Sequence, residues 1–163
     1  MCKQIKIAKG PGENLRPINA GLLLFNEHPE QFFPGAKIEL VIHKGKVGKD
    51  YIEKIISGPV VKQVRDALNF INTNIIQEQV SKAPGQAEAV RFFNYPYQAI
   101  EEALVNAVYH RSYERENPVE IQVHSDRIEI LSFPGPMPSV DQEMLKKRES
   151  LQENTGTENW ADF

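Results

Sequence analysis

The 163 residues contain one cysteine, Cys2, and one tryptophan, Trp160. A lone cysteine excludes an internal disulfide framework and any zinc site built on paired cysteines, so a reducing cytoplasmic location is expected. No apolar run approaches the roughly 20 residues of a membrane span, and the start Met1-Cys2-Lys3-Gln4-Ile5-Lys6 lacks the apolar stretch of a signal peptide. Membrane insertion and secretion are not expected. A G-x-x-x-x-G-K-[ST] phosphate loop is also missing, which removes the basis for helicase chemistry of that kind. A large excess of either charge is also missing: 19 Lys and Arg face 22 Asp and Glu, a formal net charge of -3. DNA contact would therefore need a local basic patch rather than a global field. Two stretches qualify, Lys44, Lys46 and Lys49 around two glycines, and Lys146, Lys147 and Arg148. Charges in such runs are also ordinary solvated surface groups.

What is present is enough apolar material for a core, 40% of the residues. Gly10-Pro11-Gly12-Glu13-Asn14 reads as a loop, and Ala20-Gly21-Leu22-Leu23-Leu24-Phe25 as a short buried helix. Ile38, Leu40 and Ile42 alternate within 37–43, which predicts a strand. After Gly58-Pro59, the residues Val60, Val64, Ala67, Leu68, Ile71 and Ile75 recur at helical spacing and predict a helix packed on that strand. The pattern lapses between Gln77 and Gln86, where an internal boundary is expected. Ala89 to Phe93 predicts a short strand. Pro96 then opens a helix to about Arg111 whose apolar face is Ala99, Ile100, Ala103, Leu104, Ala107 and Val108. Val119, Ile121 and Val123, the turn Ser125-Asp126, and Ile128 and Ile130 spell a β-hairpin. Phe133-Pro134-Gly135-Pro136-Met137-Pro138 forces an irregular loop, after which Asp141 caps a short helix through Leu145. The expected class is α+β, with helices packed on a mainly antiparallel sheet after a small α/β segment.

The residues with chemistry to offer lie on the 97–111 helix. At about 100° per residue, Glu102, Asn106 and Tyr109 fall on one stripe, with His110 at its edge. A carboxylate and an amide oxygen projecting together suit nucleotide chemistry. Asn106 offers a hard oxygen ligand for Mg²⁺, and Glu102 can orient or deprotonate water. The same two residues four apart are also ordinary on a helix surface, and His110-Arg111 equally reads as a cation pair at a helix C-terminus. Gly135 between two prolines reads either as a rigid turn or as a point of close backbone approach to a ligand.

The order of these features resembles a known family. Glu102-Ala103-Leu104-Val105-Asn106-Ala107, then His110-Arg111-Ser112-Tyr113, the hairpin, Asp126-Arg127-Ile128-Glu129-Ile130 and the proline-glycine loop are similar to the RecG-related C-terminal domain, a GHKL-like (HATPase) fold. Upstream, Asn19-Ala20-Gly21-Leu22-Leu23-Leu24-Phe25 and Phe32-Phe33-Pro34-Gly35-Ala36-Lys37-Ile38 resemble the end of the AlbA-type domain that precedes it in transcriptional regulators. The resemblance implies three segments: 1–80 as the end of the AlbA-type domain with its connecting helix, 87–148 as a partial GHKL-like domain, and 149–163 as a tail. It implies ATP and Mg²⁺ as cofactors, Glu102 as general base, Asn106 as magnesium ligand, His110 and Arg111 as nucleotide contacts, and Pro134-Gly135 in the adenine loop. Phe133 stands where relatives carry Asn and Pro136 where a second glycine is expected, so the polar reader of adenine is missing.

By the same resemblance the chain falls short of its relatives at both ends. Met1 lies inside the AlbA-type segment, and no Arg-rich stretch or glycine-rich nucleotide lid follows Leu145. The tail reads as disordered or as a frameshift product. Back-translated one base out of register, Glu158-Asn159-Trp160 can encode Arg-Ile-Gly, a tripeptide that relatives carry at about this distance. Two functions follow as expectations. One is a piece of a DNA-associated transcriptional regulator with a partial, degenerate ATP site. The other is a structural, dimerisation or protein-interaction module that binds no nucleotide. DNA, through neighbouring domains, and a second copy of the chain are the expected partners.

Overall fold

The computed structural model describes Gln4 and residues 7–44, 50–81 and 90–135. Residues 1–133 form one compact unit, and a second begins at Pro134. The first unit opens with a minimal hairpin, β1 (Ala8–Lys9) and β2 (Arg16–Pro17), around the Gly10–Asn14 loop. Helix α1 (Asn19–Phe25) follows. Its apolar composition predicted burial, yet Gly21 is its one buried residue and Phe25 is 61% exposed. Gly21 lets the preceding chain cross the helix closely, since a Cβ there would sit 2.5 Å from the Ile7 carbonyl oxygen.

The core is built on a four-stranded sheet ordered β4-β3-β7-β8: β4 is Asp50–Ile56, β3 is Ile38–Lys44, β7 is Val119–Val123 and β8 is Ile128–Leu131. The two outer pairings are antiparallel and the central β3–β7 pairing is parallel. Alternation in β3 and β7 sends Ile38, Leu40, Val119 and Ile121 to one face, and the register sets Ile38 beside Val119 and Leu40 beside Ile121. Helices α2 (Val60–Asn74) and α3 (Tyr97–His110) supply the opposing layer through Ala67, Leu68 and Ile71, and through Ile100, Leu104, Ala107 and Val108. The α+β expectation holds, and within it the sheet is mixed.

The boundary read between 77 and 86 does not divide this core. Strands from either side of it, β3 and β7, share the sheet, and residues 1–133 pack as one unit. That stretch instead carries β5 (Glu78–Ser81), which pairs with β6 (Val90–Phe93) in a separate two-stranded ribbon. Strands β4 and β5 were not read from the sequence. Every residue of β4 except Ile56 is exposed, so this edge strand carries no period-two pattern to read. The tail, the helix proposed at 141–145 and the basic residues Lys46, Lys49, Lys146, Lys147 and Arg148 lie outside the described residues; Lys44 is exposed at the end of β3.

One polar side chain is spent on joining the layers. Gln63 on α2 is only 3% exposed, and its Nε2 donates to the Ala36 carbonyl at 2.8 Å and the Gly58 carbonyl at 2.6 Å. Gly58 has φ of 106°, a left-handed conformation in which glycine carries no Cβ penalty. This turn lets Pro59 precede α2 and aims the helix along the sheet.

Candidate functional site

Helix α3 positions the residues of interest. Its buried residues Ile100, Leu104, Ala107 and Val108 fix which side meets the sheet, and the helical period then turns Glu102 and Asn106 to nearly the opposite side. Both are exposed, as are Tyr109 and His110. Among the described residues, Glu102, Asn106 and His110 make no side-chain hydrogen bond or ion pair, so their polar atoms are available to a ligand. Tyr109 and His110 pack edge to face, ring centroids 4.9 Å apart.

Arg111 behaves differently from its neighbours. The residue is 7% exposed, its Nη1 donates to the Gly35 carbonyl, and its Nη2 donates to the Asn117 carbonyl at 2.7 Å. The guanidinium lies 4.7 Å over the Tyr113 ring, and the Tyr113 hydroxyl donates to the Val108 carbonyl at 3.1 Å. Burial pushes the Arg111 pKa down and the Tyr113 pKa up. Where the resemblance implied a nucleotide contact, Arg111 is thus a clamp between the segment before β3 and the loop before β7. Gly35 makes the clamp possible: a Cβ there would lie 2.5 Å from the Arg115 carbonyl oxygen and 2.6 Å from Arg111 Nη2.

The C-terminal side of α3 also holds the start of the proline-glycine loop. The Ser112 amide donates to the Phe133 carbonyl at 2.8 Å, so α3 and the end of the β7–β8 hairpin are tied by backbone. Phe133 is half-buried. Pro134 and Gly135, which belong to the second unit, are both exposed, and a Cβ on Gly135 would meet nothing within 4 Å among the described residues. The site residues named from the sequence therefore fall into an exposed stripe (Glu102, Asn106, His110), a buried clamp (Arg111) and an exposed loop (Pro134, Gly135). No cluster of three His, Cys, Asp or Glu side chains suited to a metal occurs among the described residues.

Two further features escaped the sequence reading. On the sheet face away from the helices, the His43 and His124 rings stack with centroids 4.4 Å apart and planes within 3°. His124 Nε2 lies 3.4 Å from Glu129, which Arg127 holds through a 2.6 Å hydrogen bond. That bond is the main reason the Glu129 carboxyl sits below its ordinary pKa. Only the parallel pairing of β3 with β7 brings these histidines, 81 positions apart, together. The second feature is an apolar groove of about 720 Å³ between α1, α2 and α3.

No protein-family model matches the chain, and no curated protein matches it. The solved structure of the DIP2311 protein from Corynebacterium diphtheriae is similar, with a TM-score of 0.54 at 22% identity, over 78% of this chain and 25% of that one. This likeness is one of fold. The chain corresponds to about a quarter of the length of that protein. Among the described residues, no helix is long and apolar enough to cross a membrane.

Proposed function

We propose that the chain is the nucleotide-facing layer of a DNA-associated transcriptional regulator working in the cytoplasm, and that the outward stripe of α3 is half of a GHKL-type ATP site. One observation carries the reading: Glu102 and Asn106 project together, exposed and without side-chain partners among the described residues, from a helix whose opposite side is locked in the core.

The donor chemistry fits the implied group. Mg²⁺ takes one or two protein oxygens and fills its shell with phosphate and water, so the single amide oxygen of Asn106 is a sufficient protein ligand. When bound, the ion neutralises charge on the phosphates. Glu102, one turn earlier, is placed to accept a proton from water. Burial at 7% exposure, together with the bonds of both terminal nitrogens to backbone carbonyls, argues against a phosphate contact by Arg111. Phe133 offers no hydrogen bond to a base edge, and an unmade buried contact of that kind costs about 1–3 kcal/mol. Weak binding with little preference for adenine over guanine follows. DNA contact belongs to neighbouring domains.

Thermal unfolding with and without millimolar MgATP, on this chain and on Asn106→Ala, tests the reading. Ligand at about ten times Kd stabilises by about 1.4 kcal/mol, which raises Tm by about 3–5 °C in a protein of this size. A rise confined to the unsubstituted chain is expected, with MgGTP giving a similar rise. No rise in either protein overturns the proposal and leaves the second reading, a module that works through protein contacts, which the apolar groove and Phe133 favour.

A further inference from the structure

The groove between α1, α2 and α3 leaves out Glu102 and Asn106, although Tyr109 of the same stripe lines it. Its floor and walls are apolar, with Leu23 from α1, Val61 and Val64 from α2, and Val105 from α3. Several of these are well exposed, Val61 and Val105 among them, and exposed apolar surface gathered in one place marks an interaction site. Among the described residues two charged ones line it, Arg65 on α2 and Glu101 on α3. Arg65 makes only a 3.9 Å approach to Asp66, whose carboxylate is already bound by Lys62 at 2.8 Å. Glu101 makes no ion pair among the described residues.

We propose that this groove is a two-fold interface with a second copy of the chain. An isologous interface requires a patch that complements itself, residue i meeting residue j and j meeting i. The groove meets that condition twice. Its single positive and single negative charge sit on different helices, so a two-fold axis along the groove pairs Arg65 of each copy with Glu101 of the other. It also carries its own filler: Tyr109, at its lining, is 79% exposed and available to enter the partner's groove, the role in which tyrosine anchors interfaces. A small apolar ligand or an unrelated peptide would use the hydrophobic floor without requiring opposite charges in this arrangement. The proposal does not depend on nucleotide binding, since Glu102 and Asn106 lie outside the patch.

Sedimentation equilibrium of the full chain, from micromolar to submillimolar concentration, tests it. A dimer is expected. Arg65→Glu and Glu101→Arg each set like charges opposite one another at both symmetric contacts and raise the dimer dissociation constant about tenfold or more. Mixing the two single variants restores association as a heterodimer, because each contact then again joins a glutamate to an arginine. Tyr109→Ala weakens association without charge. All four proteins should share one melting curve when dilute, since the altered side chains are exposed. A monomer at every concentration, a dimer indifferent to the charge reversals, or a mixture that fails to reassociate would each overturn the proposal.

Discussion

Replacing Arg111 by Met keeps the length and bulk of the side chain and deletes the guanidinium. Two charge-assisted hydrogen bonds disappear, to the carbonyls of Gly35 and Asn117, along with the stacking on Tyr113. Hydrogen bonds to charged groups contribute about 1.5–3 kcal/mol each, so even at the low end the pair amounts to about 3 kcal/mol. Burying the Arg111 charge already costs something, which is why the low end is the right choice. A domain of this size is stable by about 5–15 kcal/mol, so the loss is a large share of the total. Urea unfolding should show the midpoint falling with an unchanged m-value, and Tm dropping by about 6–12 °C. Arg111→Lys should recover about half, because a point charge on a flexible stem cannot bridge two carbonyls as the planar fork does. A loss under about 1 kcal/mol in Arg111→Met would refute the clamp, the more so if the variant kept its stability but lost the MgATP-induced rise in Tm.

Three other outcomes follow from the same packing. Gly35→Ala should cost about 1–3 kcal/mol in urea unfolding, because its Cβ would meet the carbonyl oxygens of Arg115 and Asn117 at 2.5 and 2.8 Å; an unchanged midpoint would mean that the loop moves aside. Leu104→Ala, at a position with 0% exposure between helix and sheet, should cost about 2–5 kcal/mol, and a loss below that range would argue against α3 as a core element. Tyr113→Phe probes pH. Burial raises the Tyr113 pKa, so its contribution is fully present below the unfolded-state value of about 10 and is lost as pH rises through the folded-state value. The variant should be about 1 kcal/mol less stable near neutrality, having lost the bond to Val108. That deficit should shrink in alkaline solution, and a constant deficit in circular dichroism melts across the alkaline range would contradict the assignment.

Strong local periodicity was the readable part of the fold. Helices α2 and α3, strand β3 and the β7–β8 hairpin stand where the apolar spacing predicted them, because each turns one face to a common core. Elements without a buried face left no such trace: β4 is an edge strand, and β5 belongs to a two-stranded ribbon whose described side chains are exposed. Helix α1 misled in the other direction, since composition alone does not say whether a neighbour exists to cover Leu24 and Phe25. In the site, the stripe of Glu102 and Asn106 was legible because helical spacing alone fixes which residues share a side. The buried clamp of Arg111 was not, since Gly35 lies 76 positions away and only close packing of the two loops brings its carbonyl within reach.

The sequence by itself determined the fold class and which face of α3 stays exposed, since both follow from short-range spacing and from whether a residue prefers water. Tertiary structure alone decided the parallel pairing of β3 with β7, which merges two segments separated by a polar stretch into one core. It also turned Arg111 from a free cation into a buried strut, stacked His43 on His124, and opened the groove between three helices. Each of these depends on contacts between residues far apart in the chain, and hydrophobic periodicity carries no information about which distant partner a face will find.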